Sequence, residues 1–318
     1  MNDISNVTIA ICTWNRADLL EQTLVGMRKL RIPENVEWEL LVVNNNCTDH
    51  TQDIIARHEG SLPLRYVVEE RQGQSHARNR AIREARGEFL VWTDDDVLVS
   101  EDWLEAYINA ARDNPQASFF GGTILPWYEN DPPKWLRRNI KHFGKALCVR
   151  HLGDEVRPLE NSEKIAGANM AFRMNALKEY EYDPELSRIG AKLAGCEDHE
   201  LIDRMREDGH TGMWVGTSVV QHFIPKERMT LQFARQWWRE QAQLYLTRFP
   251  KRVPARGYVP QWLWRKYVVA IGREFIHRVN GGPVWAEAFF EAAWLRGLMD
   301  GCRSCVDVSA AEAGLAVK

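Results

Sequence analysis

In the first hundred residues, short apolar runs alternate four times with segments of helical periodicity. Runs that predict strands occur at Val7–Cys12, Glu39–Val43, Leu64–Glu69 and Phe89–Thr93, and the first two are expected to be buried. The segments between these runs predict helices at Arg16–Leu30, Asp49–His58 and Ser75–Arg86. This alternation is typical of an α/β fold with a doubly wound, mainly parallel sheet and helices on both faces. Ligands of such folds bind at the carboxyl ends of the strands.

The rest of the chain is less regular up to residue 225 and helical after it. A strand is predicted at Ser118–Ile124 and a helix at Glu197–Glu207, while residues 134–165 are expected to be irregular. Two short apolar segments follow that helix, at Met213–Val215 and Ser218–Phe223. Proline and glycine signals then separate three predicted helices, at Thr230–Arg248, Gln261–Val279 and Pro283–Met299. We therefore predict an α/β domain over residues 1–225 and a helical C-terminal region over 226–318.

Charge divides the chain at about the same place. The net charge of the 318 residues is only −3, which gives no reason to expect nucleic acid as a partner. From Lys226 to Asn280, however, there are twelve Lys and Arg against three Asp and Glu, and six of the 13 Trp lie beyond Lys226. Basic, Trp-rich helices fit peripheral contact with an anionic membrane through residues 226–280. The same side chains also fit packing onto the first domain, and the sequence leaves both interpretations open.

Two observations bear on the compartment. The apolar runs are far too short to span a bilayer, and the first residues, MNDISNVTIAIC, lack the basic segment that begins a signal peptide. We expect a cytoplasmic protein, which under the membrane interpretation sits peripherally at the inner face of the membrane.

Three consecutive aspartates, Asp94, Asp95 and Asp96, directly follow the fourth predicted strand. Adjacent carboxylates repel one another and are stabilised by a cation or by solvent. At the end of a strand, Asp94 and Asp96 share a face, and two hard oxygen ligands there suit Mg²⁺ or Mn²⁺ that carries substrate phosphates. A solvated acidic turn before the next helix is the alternative, and the triplet alone favours neither.

A second acidic pair, Glu197 and Asp198, opens a predicted helix. Carboxylates at a helix N-terminus ordinarily act as caps, but one of them could be a general base toward an acceptor hydroxyl. Arg78, in the helix before the acidic strand, could reach a phosphate or lie exposed. The sequence has neither of the usual glycine-rich phosphate-binding motifs, so a metal would be needed to neutralise a bound phosphate.

Taken in order, these motifs resemble those of family 2 glycosyltransferases. The resemblance covers residues 7–225, about two-thirds of the chain, with motifs at Thr13–Arg16, Val43–Asp49, Ala77–Asn79, Ala85–Phe89, Asp94–Asp96, Gly167–Arg173 and Cys196–Leu201. It implies a GT-A fold for a catalytic domain at 1–225. It also implies an inverting enzyme of the hexosyltransferase class whose donor is a nucleotide sugar, with a UDP-sugar favoured.

The resemblance further implies roles for individual residues. Asp94 and Asp96 match the two carboxylates of a D-x-D motif that binds Mn²⁺ or Mg²⁺, and His222 is either a further metal ligand or a packed histidine. Asp198 matches the catalytic base, and Glu197 beside it shapes the acceptor site. Contacts to the nucleotide sugar are implied for Thr13, Asn15, Arg16, Asn44, Arg78, Asp94 and Asp95. Asn44 departs from the family pattern, which usually has Asp at that position.

The expected reaction transfers a sugar to a hydroxyl of a glycan or a lipid-linked glycan, in bacterial polysaccharide or cell-envelope biosynthesis. Two other classes compete with it. A sugar nucleotidyltransferase normally has a glycine-rich basic loop after its first strand, which Thr13–Arg16 does not match. A non-catalytic carbohydrate-binding or scaffold protein would have no use for the acidic triplet and Asp198.

Overall fold

A computed structural model of the chain describes residues 4–187, 195–248, 259–279 and 281–314. In these ranges the strands form one nine-stranded sheet from β1 (Asn6–Thr13), β2 (Glu37–Asn44), β3 (Leu64–Val68), β4 (Phe89–Asp94), β5 (Val97–Val99), β6 (Ala117–Tyr128), β7 (Val156–Pro158), β8 (Met170–Arg173) and β9 (Thr211–Ile224). The helices are α1 (Ala17–Met27), α2 (Thr51–His58), α3 (Gln74–Glu84), α4 (Trp103–Asp113), α5 (Lys134–Arg138), α6 (Ile140–Phe143), α7 (Met174–Leu177), α8 (Glu197–Glu207), α9 (Leu231–Arg248), α10 (Gln261–His277) and α11 (Pro283–Gly314).

The sheet has a parallel half and an antiparallel half. Its strand order is β3-β2-β1-β4-β8-β6-β9-β5, and β7 pairs with β9. Strands β1 to β4 run parallel to one another, whereas β8 is antiparallel to β4 and β6, and β9 is antiparallel to β5 and β7. The four strands predicted in the first hundred residues are confirmed, and so is the α/β fold class.

Helices cover both faces of this sheet because its central strands carry apolar residues on both sides. In β1, Ile9 lies in a core that it shares with Leu20 of α1. The next residue, Ala10, points to the opposite face and lies in a second core with Ala77 of α3 and Leu201 of α8. This two-faced packing fixes the strand ends that carry the candidate site.

Contacts divide the chain into two compact units. The first combines Met1–Trp127, Cys148–Gly190 and Cys196–Phe223, and the second combines Tyr128–Leu147, Ala191–Gly195 and Ile224–Lys318. The first unit holds the sheet, and the second holds α5, α6 and α9 to α11. The predicted domain boundary at residue 225 stays a prediction.

Two regions of the first two-thirds of the chain differ from the local predictions. Residues 134–165, expected to be irregular, contain α5, α6 and β7, which at three to five residues are too short to produce a periodic pattern. The two segments predicted between residues 213 and 223 form one strand, β9. Gly216 allows this because its missing side chain lets β9 pass against the backbone of Gly153 and Asp154.

The last helix is longer than predicted. The sequence predicts an end at Met299, but α11 continues to Gly314. Gly297 lies inside it and packs on α9, where an added Cβ would collide with the Arg239 backbone. The glycine therefore serves close helix packing instead of ending the helix. No described helix is both long enough and apolar enough to cross a membrane.

Candidate active site

Three loops meet at the carboxyl edge of the parallel half of the sheet. The strand register pairs Cys12 with Asp94 and Thr13 with Asn44, so β1, β2 and β4 end side by side. The predicted site residues that follow these strands are thereby brought to one edge, where α/β sheets bind their ligands.

The acidic triplet is held by α1 and is not a solvated turn. Asp95 and Asp96 are each 3% exposed. Arg16 donates to Asp95 Oδ1 at 3.0 Å and to Asp96 Oδ2 at 2.8 Å. The hydroxyl of Thr23 donates to the Asp95 carbonyl at 3.0 Å and accepts from the Val97 amide at 3.2 Å. The turn is therefore fixed through both its side chains and its backbone.

The charge balance of this turn favours a cation. Burial raises the pKa of Asp95 to about 6, although Arg16 opposes the shift and Asp96 adds to it. In return, Asp95 raises the pKa of Arg16 above its ordinary value, so the guanidinium stays charged. Among the described residues, Arg16 pairs with Asp95 and Asp96, and Arg78 lies in electrostatic range of Asp94. Three adjacent carboxylates still repel one another, which is the condition under which a divalent ion stabilises such a cluster.

Asp94, Asp96 and His222 form a candidate metal site. One ligand atom from each lies within 4.8 Å of the others. His222 on β9 comes here because it pairs with Val97, and its Nε2 lies 3.5 Å from Asp96 Oδ1. The buried His222 Nδ1 has no hydrogen-bond partner among the described residues. Two hard carboxylates suit Mg²⁺ or Mn²⁺, so this donor set fits the predicted metal, and the role of His222 as a ligand stays a prediction.

Asp198, in the first turn of α8, is fixed by two donors. Arg78 forms an ion pair with its Oδ1, and the Gly167 amide donates to its Oδ2 at 3.0 Å. The Asp198 side chain is still 18% exposed, whereas Glu197 is buried 3.9 Å from Arg78. A Cβ at Gly167 would collide with the Arg78 guanidinium and lie 2.9 Å from Asp198 Oδ2. Asp198 is thus oriented and still reachable by solvent, as a general base must be.

Arg78 lies inside the protein. Its guanidinium is 5.2 Å from the Tyr182 ring centroid and 5.8 Å from that of Trp92. The next residue, Asn79, holds α3 in place because its amide exchanges hydrogen bonds with the Tyr182 backbone at 2.8 and 2.7 Å. Burial works against the charge of Arg78, but Tyr182 and the surrounding carboxylates, including Asp94, keep its pKa above the ordinary value. The interpretation as an exposed helix arginine is wrong, and contact with a phosphate stays a prediction.

Two of the predicted donor contacts also build the loops at this edge. Asn15 has a φ of 51°, which Asn tolerates better than most residues, and its Oδ1 accepts from the Thr48 amide at 2.7 Å. This bond joins the loop after β1 to the loop after β2. Asn44 Oδ1 accepts from the Cys47 amide at 2.8 Å, and Thr13 is buried beside it. Their contacts with a nucleotide stay predictions.

Sequence reasoning missed three residues that build the site. Thr23 and Tyr182 gave no motif signal, because each acts on a residue far away in the chain. Gly167 lies in one of the recognised motifs, and a glycine there signals close approach of other groups. The motif did not show that the group would be Asp198, which is 31 residues away.

The fold is of the GT-A type, as comparison with solved structures shows. A mannosyltransferase from Pyrobaculum calidifontis, solved with GDP-Man and Mn²⁺, has a TM-score of 0.55 at 21% identity, covering 98% of this chain and 80% of that one. Residues 1–349 of S. aureus TarS in complex with UDP-GlcNAc have a TM-score of 0.53 at 15% identity, covering 96% and 92%.

The chain belongs to glycosyl transferase family 2. The model of that family matches residues 8–180, which is more than half of the chain. The succinoglycan biosynthesis protein ExoM of Rhizobium meliloti (strain 1021) is 29% identical over 235 residues, which are 72% of this chain and 71% of that protein. Several other curated relatives are matched over 26 to 35% of their own length. The predicted family and the prediction of a glycosyltransferase are confirmed.

Proposed function

We propose that the protein is a metal-dependent, inverting glycosyltransferase that moves a sugar from a nucleoside-diphosphate donor to a hydroxyl of a glycan or lipid-linked glycan. One observation carries the proposal. Ligand atoms of Asp94, Asp96 and His222 converge within 4.8 Å. Arg78 lies in electrostatic range of Asp94 and forms an ion pair with Asp198. Arg78 therefore links the candidate cation site, through Asp94, to the proposed base, Asp198.

Asp94, Asp96 and His222 would hold Mn²⁺ or Mg²⁺. A bound divalent cation supplies Lewis-acid stabilisation of the charge that develops on the leaving diphosphate. Arg16 and Thr23 keep the acidic turn in one conformation before substrate binds, because they hold its side chains and its backbone. Such preorganisation lowers the cost of forming the transition state.

Asp198 accepts the proton of the acceptor hydroxyl while that oxygen attacks the anomeric carbon. Arg78 and Gly167 hold both of its carboxylate oxygens, so the base is aligned in advance. The new carbon–oxygen bond forms opposite the bond to the departing diphosphate, and the anomeric configuration inverts. An α-linked donor then gives a β-linked product.

The donor and acceptor classes are part of the proposal. The proposed donor contacts are Thr13, Asn15, Arg16, Asn44, Arg78, Asp94 and Asp95, and a UDP-sugar is the favoured donor. Because one solved neighbour carries GDP-Man and another UDP-GlcNAc, a donor screen must include both bases. ExoM is named for succinoglycan biosynthesis, which supports a polysaccharide or its lipid-linked precursor as the acceptor. The cytoplasm is the proposed location.

A thermal-shift screen tests the donor and the metal together. We expect one nucleotide sugar to stabilise the protein in the presence of Mn²⁺ and much less in its absence, by about 2.7 kcal/mol at a donor concentration a hundredfold above Kd. NMR of the product then reports the anomeric configuration, and retention would contradict the inverting mechanism. Equal stabilisation with and without any divalent ion would contradict the role of the metal. Consumption of a nucleoside triphosphate and a sugar phosphate, with release of pyrophosphate, would indicate the nucleotidyltransferase alternative.

A further inference from the structure

Helix α10 exposes apolar side chains along one face. The exposed fractions are 64% for Val268, 78% for Phe275 and 69% for Ile276, and Val279 just beyond the helix is 94% exposed. The opposite face of α10 is fully buried at Leu263 and Ala270, in a core with residues of α9 and α11. Helix α10 is therefore anchored on one side and presents a continuous apolar surface on the other.

The same exposed surface carries positive charge. Arg265 and Arg278 are exposed and form no ion pair within the described part of the chain. The only carboxylate of α10, Glu274, is nearly buried and is neutralised by Arg235 at 2.5 Å. Glu291 of α11, which lies beside α10, pairs with Arg273 at 2.8 Å. Apolar side chains and unpaired cations thus lie together on the exposed face.

Helix α9, by contrast, directs its tryptophan pair inward. The Trp238 ring centroid lies 5.1 Å from that of Phe290 and 6.2 Å from that of Trp294, both on α11. Trp237 packs edge-on against Trp238 at 5.1 Å. These aromatic residues belong to the packing of the second unit, so within the described part of residues 226–280 the membrane interpretation rests on α10. Residues 249–258 of the basic segment lie outside the described residues.

We infer that the exposed face of α10 docks on an anionic phospholipid bilayer, with the helix axis in the plane of the surface. We define this face by Trp264, Val268, Phe275, Ile276, Val279 and the flanking cations Arg265 and Arg278. Its apolar side chains enter the boundary between headgroups and acyl chains, and its cations meet the anionic headgroups. A second copy of the chain is a poorer partner, because two faces of this kind would bring like charges together.

Vesicle co-sedimentation of the full chain tests this inference. We expect binding to phosphatidylcholine vesicles that contain phosphatidylglycerol, weaker binding at high salt, and little binding to phosphatidylcholine alone. Phe275→Ser combined with Ile276→Ser should reduce affinity about tenfold or more per side chain. Arg265→Gln combined with Arg278→Gln should reduce it roughly fivefold per cation.

The matched control is Val25→Ser combined with Val68→Ser, which removes two exposed valines of the first unit and should leave vesicle binding unchanged. Circular dichroism confirms that each variant is folded. Absence of wild-type binding to the vesicles that contain phosphatidylglycerol overturns the inference, and so does equal binding by the Phe275→Ser, Ile276→Ser variant. Light scattering that shows a wild-type dimer and a variant monomer, with unchanged vesicle binding, would assign the face to a second copy. None of these outcomes depends on the proposed transfer reaction.

Discussion

Replacing Arg78 by Met removes the positive charge that holds the proposed base, and its cost can be worked from the structure. The Arg78 side chain is 3% exposed, and the two carboxylates that it faces, Asp198 and Glu197, are 18% and 7% exposed. Removing one partner of a buried ion pair lowers the free energy of unfolding by about 3 to 5 kcal/mol, because the remaining charge is left uncompensated. Since Asp198 keeps some access to water, we expect loss of its ion pair to cost about 3 kcal/mol, the lower end of this range.

Loss of the cation–π contacts with Trp92 and Tyr182 adds about 0.5 to 2 kcal/mol. We therefore expect Arg78→Met to lower the free energy of unfolding by about 3 to 5 kcal/mol, measured by urea titration with circular dichroism. The matched control is Arg80→Met on the same helix. Arg80 is 37% exposed and pairs with Glu84 one turn away, a contact worth about 0.3 to 0.5 kcal/mol.

Catalysis gives a second readout of the same substitution. We expect Arg78→Lys to retain more stability than Arg78→Met and still to lose transfer rate, because a single ammonium cannot reproduce the geometry of the guanidinium. If Arg78 positions Asp198, kcat falls while the donor Kd changes little; if it binds the diphosphate instead, the donor Kd rises. The reasoning is refuted if Arg78→Met destabilises the protein no more than Arg80→Met does.

Two other substitutions probe the same edge of the sheet. Gly167→Ala should abolish most transfer, since the added methyl group collides with Arg78 and crowds Asp198. The control Gly26→Ala on α1 should be neutral, because the nearest atom to its added methyl group is 3.8 Å away. The value of kcat/KM measures both effects, and an active Gly167→Ala enzyme would contradict the packing around Asp198. His222→Gln should weaken Mn²⁺ binding by about tenfold or more, which raises the Mn²⁺ concentration needed for half-maximal thermal stabilisation. The control His50→Gln, at an exposed histidine, should leave that concentration unchanged. Equal Mn²⁺ dependence of His222→Gln and the wild type would show that His222 is only a packed residue.

The parallel half of the fold could be predicted because its signals are local. Strands β1, β2 and β4 contain continuous apolar runs, and each ends at a polar motif that marks the carboxyl edge, whereas β3 includes Arg65 and is only partly buried. The antiparallel half could not be predicted in the same way, because β5, β7 and β8 have only three or four residues. Their pairing is decided by long-range contacts, such as that of Val97 with His222.

The residues of the candidate site could be predicted from local signals, but their contacts could not. The acidic triplet, Asp198 and Arg78 were all recognisable, since each follows a strand or opens a helix in a known order of motifs. What the sequence could not show is which of them touch. Arg78 and Asp198 are 120 residues apart, and nothing local to Arg78 distinguishes a buried ion pair from an exposed arginine. The same limit applies to the C-terminal helices, where composition alone could not separate the packed Trp238 from the exposed Phe275.

The most direct test of the central claim compares Asp198→Asn with the wild type, using the donor found in the thermal-shift screen. Asparagine keeps the size of the side chain and one acceptor for the Gly167 amide, but it cannot take a proton from the acceptor hydroxyl. We expect donor binding in the presence of Mn²⁺ to be largely retained, while the single-turnover transfer rate falls by about a hundredfold to ten-thousandfold. Transfer at the wild-type rate by Asp198→Asn would contradict the assignment of Asp198 as the base.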